Sequence, residues 1–421
     1  MSADFLRTLS AKRFAQGWAG VTSVCSAHPL VIEAALRQAM ESGAPALIEA
    51  TCNQVNHRGG YTGMAPADFR RLVDGIAHEV GFDPSRLILG GDHLGPNPWK
   101  HLAAEEAMRE AAMMVDAYVG AGFKKIHLDT SMGCKGESPA LPDELTAERA
   151  ATLAAVSEAG AASKVVYVIG TEVPVPGGAV GASHTIDVTG PDAVKQTIEV
   201  HRQAFSRRNL QDAFSRAIAA VVQPGVEFGD DWIHVFDETK AHDLSGALDD
   251  LSGFAFEAHS TDYQPQHALD ALVKSGFAIL KVGPELTFAL RETLYGLDMI
   301  ATELTGDERS NLRQSIEEAM LADPRHWQPY YRGDERELYL KRHFSLSDRL
   351  RYYWPHPTVK AALERLDRKL GDRPLPMGLV SQHLGAIAPY VLEGKIQATS
   401  RALQMGAVQA VLARYGRACR K

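Results

Sequence analysis

Over most of the chain, short apolar runs alternate with stretches in which apolar residues recur every three to four positions. The short runs, bounded by Gly, Pro, Asn or Asp, predict buried strands, and the 3.6-period stretches predict amphipathic helices. Strands are expected at 21–25, 46–51, 87–90, 125–129, 165–170, 218–222, 254–258 and 277–282. Helices are expected near 31–40, 69–80, 105–119, 144–159 and 193–205. Eight strands alternating with helices over about 280 residues predict an α/β fold, a TIM (β/α)8 barrel over 1–305. An open doubly wound sheet is the alternative, because strand number does not establish closure.

After residue 305 the alternation stops. Charged, helix-prone segments at 307–321, 359–370 and 395–414 predict a helical C-terminal extension, 306–421, packed on the barrel. Within it, FSLSDRLRYYWP (344–355) mixes arginines with aromatics and reads as an amphipathic docking helix.

The expected strand ends accumulate polar groups, and the carboxyl ends of strands are where α/β barrels carry their chemistry. The run Leu87–Leu89 ends in Gly90, Gly91, Asp92 and His93. Strand two ends in Thr51, Cys52, Asn53 and Gln54; strand four in Asp129 and Ser131; strand five in Thr171 and Glu172. Strand six leads to Gln223 and Glu227, strand seven to His259, Ser260 and Asp262, and strand eight to Lys281 and Gly283, with Arg291 one turn into the next helix. A barrel needs no such groups for stability there, and buried they cost desolvation unless paired or metal-bound.

Asp92, Glu172 and Asp129 are therefore candidate catalytic residues. Asn53, Gln54, Ser131, Gln223, Ser260, Asp262, Lys281, Gly283 and Arg291 are candidate substrate-binding residues; loops after the last two barrel strands often hold phosphate through backbone N–H groups. His93, Glu172 and His259 come from three strands and form a candidate set for a divalent metal with one position open. Such a metal would polarise a carbonyl oxygen while Asp92 shuttles a proton. A hydrogen-bonded network without metal is the alternative.

Composition narrows this little. The chain has 421 residues, 45% hydrophobic and 23% charged, ordinary for a globular protein. A formal net charge of −8 argues against nucleic acid as a partner. Cys25, Cys52, Cys134 and Cys419 form no CxxC pair, and no apolar run reaches membrane-spanning length. The amino terminus lacks a secretion-signal core, so a cytoplasmic location is expected. There is no GxxxxGK[ST] loop and no GxGxxG after a strand.

Several segments together carry a resemblance: NQVNHRGGYTGM (53–64), LGGDHLGPNPW (89–99), KIHLDTSM (125–132), TEVPVPGG (171–178), VVQPGVEFG (221–229), FEAHSTDYQ (256–264), KVGPELTFALRE (281–292) and FSLSDRLRYYWPHP (344–357). The chain resembles the GatZ/KbaZ family, the Z components associated with D-tagatose-1,6-bisphosphate aldolase in galactitol and N-acetylgalactosamine catabolism. It is similar, more distantly, to class II zinc-dependent ketose-bisphosphate aldolases. That resemblance implies a zinc ion, an acid/base role for Asp92, and ligand roles for His93 and His259. The third histidine of those aldolases has no counterpart, and VVQPGVEFG offers Gln223 and Glu227 instead; Glu172 or Glu227 is the expected substitute ligand.

The resemblance implies a ketohexose phosphate, tagatose phosphate, as substrate, with retro-aldol chemistry at C3–C4. The outcome is either 4-epimerisation of tagatose 6-phosphate or cleavage of tagatose 1,6-bisphosphate. Two alternatives stay open: a non-catalytic subunit stabilising a separate class II aldolase chain, and a tagatose-6-phosphate kinase. A homo-oligomer is also expected.

Overall fold

The structure, a computed structural model, describes residues 2–11, 19–162, 164–170, 186–306 and 311–420. Eight strands form its centre: β1 (Val21–Cys25), β2 (Ala46–Thr51), β3 (Leu87–Leu94), β4 (Lys125–Leu128), β5 (Val166–Ile169), β6 (Ala217–Val222), β7 (Ala255–Ala258) and β8 (Phe277–Val282). They pair in parallel as one closed barrel. The closing contact is between β1 and β8, with Val21 opposite Ile279 and Val24 opposite Val282. The sheet is thus a barrel and not an open doubly wound sheet. Its strands are covered on both faces, which is why they read as almost continuous apolar runs.

Each strand leads into a helix, from Pro29–Ser42 after β1 to Pro284–Thr305 after β8. The β6 connection departs from the rhythm. It carries a two-stranded ribbon, Glu227–Phe228 against Ile233–His234, before a short helix at His242–Gly246.

Inside the barrel, side chains alternate along each strand and stack in layers. The lowest layer is apolar: Leu47, Ile88, Val166 and Ile218 meet Leu6 and Leu9 of the N-terminal helix Ser2–Ala11. Burying a leucine of this kind stabilises by about 1.5–3 kcal/mol. The next layer is ionic. Lys125, fully buried, places Nζ 2.7 Å from Glu49 Oε1 and 2.8 Å from Glu257 Oε2. Ser23 Oγ donates to Glu49 Oε1 at 2.6 Å. Gly90 makes room for this layer, since a Cβ there would lie 2.8 Å from Glu49 Cδ.

Lys125→Met would remove the closer of the two cations these carboxylates share, leaving Lys281 at 3.8 and 3.7 Å. Stripping one partner from a buried ionic group costs about 3–5 kcal/mol. A clear drop in the urea midpoint is expected, with wild-type circular dichroism at zero denaturant; an unchanged midpoint would refute this account.

Beyond Gly306 the described chain is helical, with long helices at Leu312–Ala322, Glu335–Phe344, Pro357–Leu370 and Ser400–Cys419. The last packs against Pro284–Thr305, Pro29–Ser42 and Gln266–Lys274. Its end is tied to β1, where the Ala19 N–H donates to the Cys419 carbonyl at 2.9 Å. Two expected elements differ. The helix expected at 395–414 begins only at Ser400, because Gly394 turns the chain at φ 72° and the Ala398 carbonyl is taken by the Leu375 N–H. The segment 344–355 is not an α-helix: Asp348, at φ 43°, breaks the chain and starts a 3₁₀ turn, Arg349–Tyr353. No helix among the described residues is long and apolar enough to cross a membrane.

Candidate functional site

The carboxyl end of β3 is bulged. Gly91 pairs with Ile126 and Leu94 with Leu128, so β3 spends one residue more than β4 over the same span. The extra residue is taken up where His93 adopts φ +50°. A bulge re-aims side chains that strict alternation would send to opposite faces, and both Asp92 and His93 join one buried cluster. Gly95 lets the chain continue against β4's end; a Cβ there would meet the Asp129 carbonyl oxygen at 1.6 Å.

Asp92, His93, His127 and His259 form this cluster, each offering one ligand atom within 4.8 Å of the others. The two imidazoles expected as ligands are held alike. His93 Nδ1 lies 2.7 Å from Asp129 Oδ2, and His259 Nε2 lies 2.9 Å from Glu257 Oε1. Carboxylates on the outer nitrogens fix the rings and leave His93 Nε2 and His259 Nδ1 for the site, the usual support of a metal-bound histidine. His127 Nε2 is 3.2 Å from the Gly170 carbonyl, while Nδ1 faces Asp92 Oδ1 at 2.9 Å and accepts the His93 N–H at 3.2 Å. An imidazole donating through Nε2 keeps its Nδ1 lone pair, which here receives the His93 N–H. This donor set fits a divalent metal.

Lys281 Nζ forms a close ion pair with Asp92 Oδ1 and stands 3.8 Å from Glu49 and 3.7 Å from Glu257. The ionic layer below thus continues into the site. Burial alone would raise the Asp92 carboxyl, but the charges of His93 and Lys281 hold it well below the usual carboxylate range. Burial depresses Lys281, yet Asp92 and the carboxylates beneath it hold its pKa well above the ordinary value. Burial, reinforced by Lys281, pushes His259 down to about 3, so its ring is neutral, as a metal ligand must be.

A cavity opens above the cluster. His93, His259 and Lys281 form its floor, Asn53 and Gln54 line it from the β2 end, and Ser260, Asp262 and Gly283 from the β7 and β8 ends. Arg351 and Tyr352 of the 3₁₀ turn complete it, and Tyr352 packs on Tyr61 with ring centroids 4.4 Å apart.

The remaining expected residues lie elsewhere. Asp129 orients His93, and Ser131 Oγ donates to Asp129 at 3.2 Å. The Gln223 side chain shapes its own turn, accepting the Gly225 and Val226 N–H groups at 2.8 and 3.0 Å. Glu227 is buried in the ribbon, outside the metal-donor cluster, where burial pushes its carboxyl up to about 7. Arg291 is buried under Phe288 with Nε 3.3 Å from Asp348, away from the cavity lining. Glu172 lies outside the described residues. His127, Glu49, Glu257 and Arg351 were not singled out from the sequence. The available signal was a charged or imidazole residue inside an apolar strand run, as in ALIEAT, KIHL and AFEA.

The sequence model of the D-tagatose-1,6-bisphosphate aldolase subunit GatZ/KbaZ-like family matches residues 6–420. A relative from Agrobacterium fabrum (strain C58), D-tagatose 6-phosphate 4-epimerase, is 52% identical over 415 residues, covering 97% of this chain and 97% of its own length. A crystal structure from Sinorhizobium meliloti 1021, of a "probable tagatose 6 phosphate kinase", is 52% identical with a TM-score of 0.89, covering 95% of this chain and 100% of that chain.

Proposed function

The chain belongs to the GatZ/KbaZ-like family, and on that premise we propose that it is a metal-assisted sugar-phosphate epimerase inverting C4 of D-tagatose 6-phosphate. The observation that carries this reading is the β3 bulge, which brings Asp92 into one buried cluster with three imidazoles and beside Lys281.

The chemistry follows from the substrate. In a 2-ketohexose, C4 is β to the carbonyl, so its C–H bond is not acidified and simple proton exchange at C4 is not accessible. The C3–C4 bond can break instead. Asp92, held ionised, takes the proton of the C4 hydroxyl as that oxygen becomes an aldehyde. The C3–C4 electron pair moves onto the three-carbon fragment as an enediolate. Rotation of the aldehyde about C4–C5 presents its other face; the bond re-forms, and Asp92 returns the proton to the inverted alkoxide.

His93 and His259 would hold a divalent cation, whose contribution when bound is to polarise the substrate carbonyl. Lys281 keeps Asp92 ionised at rest. When the proton reaches Asp92, the negative charge beside Lys281 is lost as another develops on the substrate, so the ammonium is never unpaired. Tyr61 and Tyr352, packed on each other, give the cavity an aromatic wall. The kinase reading, prompted again by the Sinorhizobium relative's name, finds no GxxxxGK[ST] loop in the sequence.

The test is the purified chain alone with tagatose 6-phosphate, followed by NMR with divalent metal present. Fructose 6-phosphate is expected without accumulating triose. Free triose would make the protein an aldolase. No turnover until a separate aldolase chain is added would make it a stabilising subunit and overturn the proposal.

A further inference from the structure

The barrel's usual phosphate seat is already filled by the protein. In many α/β barrels the loops after strands seven and eight and the adjoining helix N-terminus cradle a phosphate through backbone N–H groups. Here the helix Pro284–Thr305 opens at that place, but Asp262 Oδ1 accepts the N–H groups of Gly283 at 3.0 Å and Glu285 at 2.8 Å. Asp262 is 3% exposed, and a second carboxylate, Glu285, stands beside it at 6%. Glu285 Oε2 accepts the Tyr263 N–H at 2.7 Å, and its other oxygen is held by Arg414. A phosphate dianion brought here would lose the amide donors and face two carboxylates.

The cavity has one other place for an anion. Among the described residues, Lys281 and Arg351 are the lysine and arginine side chains that line it, and Lys281 is committed to Asp92. Arg351 is anchored through Nη1 to the carbonyls of Ser347 and Asp348 and through Nη2 to Tyr352 Oη at 3.3 Å. A guanidinium fixed by backbone carbonyls at the cavity wall is a preorganised phosphate partner. It also explains why the segment 344–355 leaves helical geometry: the 3₁₀ turn delivers Arg351 and Tyr352 to the barrel mouth.

We infer that Asp262 restricts the site to hexulose monophosphates, by occupying the amide cradle a second phosphate would need, while Arg351 holds the single phosphate that is accepted. The inference rests on the sugar-phosphate reading above and names the residues that separate a monophosphate from a 1,6-bisphosphate.

Calorimetric binding to the full chain tests it independently of turnover, with fructose 6-phosphate and fructose 1,6-bisphosphate as probes. Wild-type protein is expected to bind the bisphosphate at least ~10-fold more weakly, because like-charge juxtaposition opposes the second phosphate. In Asp262→Ser that ratio should shrink by about tenfold or more, since removing the carboxylate frees two N–H donors. Asp262→Asn keeps an acceptor oxygen for those amides and removes only the charge; it should shift the ratio the same way and serves if the serine variant does not fold. Arg351→Met should weaken both esters by about tenfold or more and abolish the advantage of fructose 6-phosphate over unphosphorylated fructose. Equal wild-type affinities, or a ratio unmoved in both Asp262 variants, would overturn the inference while leaving the sugar-phosphate reading in place. Binding of neither ester to wild-type protein would bring down that reading and this one together.

Discussion

Asp92→Asn is expected to lower turnover of tagatose 6-phosphate by about 10²–10⁴-fold, the usual contribution of a positioned acid/base, with fold and metal content retained. The size follows from what the side chain does. As a carboxylate, Asp92 can take the C4 hydroxyl proton; as an amide, it cannot accept one at any accessible pH. The steric change is small, and the carboxamide N–H can donate to the His127 Nδ1 that faces it. Lys281 would keep Glu49 and Glu257 nearby, at 3.8 and 3.7 Å, so its charge is not stranded. The reading of the variant is its rate against its metal content and thermal midpoint. A variant as fast as wild type, with both of those unchanged, would remove Asp92 from the chemistry.

The placement of Asp92 shows which parts of the site the sequence could disclose. The strand run ending in Gly90-Gly91-Asp92-His93 was legible as a barrel strand with ionisable groups at its carboxyl end. Period-two alternation, however, sends Asp92 and His93 to opposite faces, and only a bulge brings them together. That bulge depends on a register slip against β4, a long-range pairing that no local pattern records. The paired glycines were its one local trace: Gly90 lies over Glu49, and a larger residue there would displace the ionic layer.

The ionic layer was hidden for another reason. Glu49, Lys125 and Glu257 each stand singly in an apolar run, and a lone charge in a strand ordinarily signals an edge or a break. Their meaning emerges only when the closed barrel brings β2, β4 and β7 around one axis. His127 was passed over because its neighbour Asp129 was the more conspicuous strand-end group, yet both lie on the inward face two residues apart. The C-terminal segment shows the reverse case. Its mixture of arginines and aromatics was visible, but Asp348 in left-handed geometry determines that it forms a turn and not a helix.

Metal content supplies the second large effect, and its value lies in a graded series. His93→Ala and His259→Ala each remove a nitrogen that the structure points at the cluster, and each should lose essentially all bound metal after dialysis, along with activity. Asp129→Asn and Glu257→Gln leave the ligands in place but weaken the carboxylates that orient the two rings. Loss of such an outer partner typically costs about 10–100-fold in metal affinity, so these variants should bind metal again when it is supplied in excess. Glu257→Gln also loosens the ionic layer through Lys125, and its thermal midpoint should fall with its affinity. Asp129→Asn, outside that layer, should lose metal affinity with much less change in stability. Elemental analysis and competition with a chelator separate these outcomes. If wild-type protein holds no divalent metal and its turnover is indifferent to chelator, the cluster is a hydrogen-bonded network. The three histidines would then act only to set the charge state of Asp92. If metal is present but survives both alanine substitutions, its ligands lie elsewhere, and Glu172 becomes the first residue to substitute.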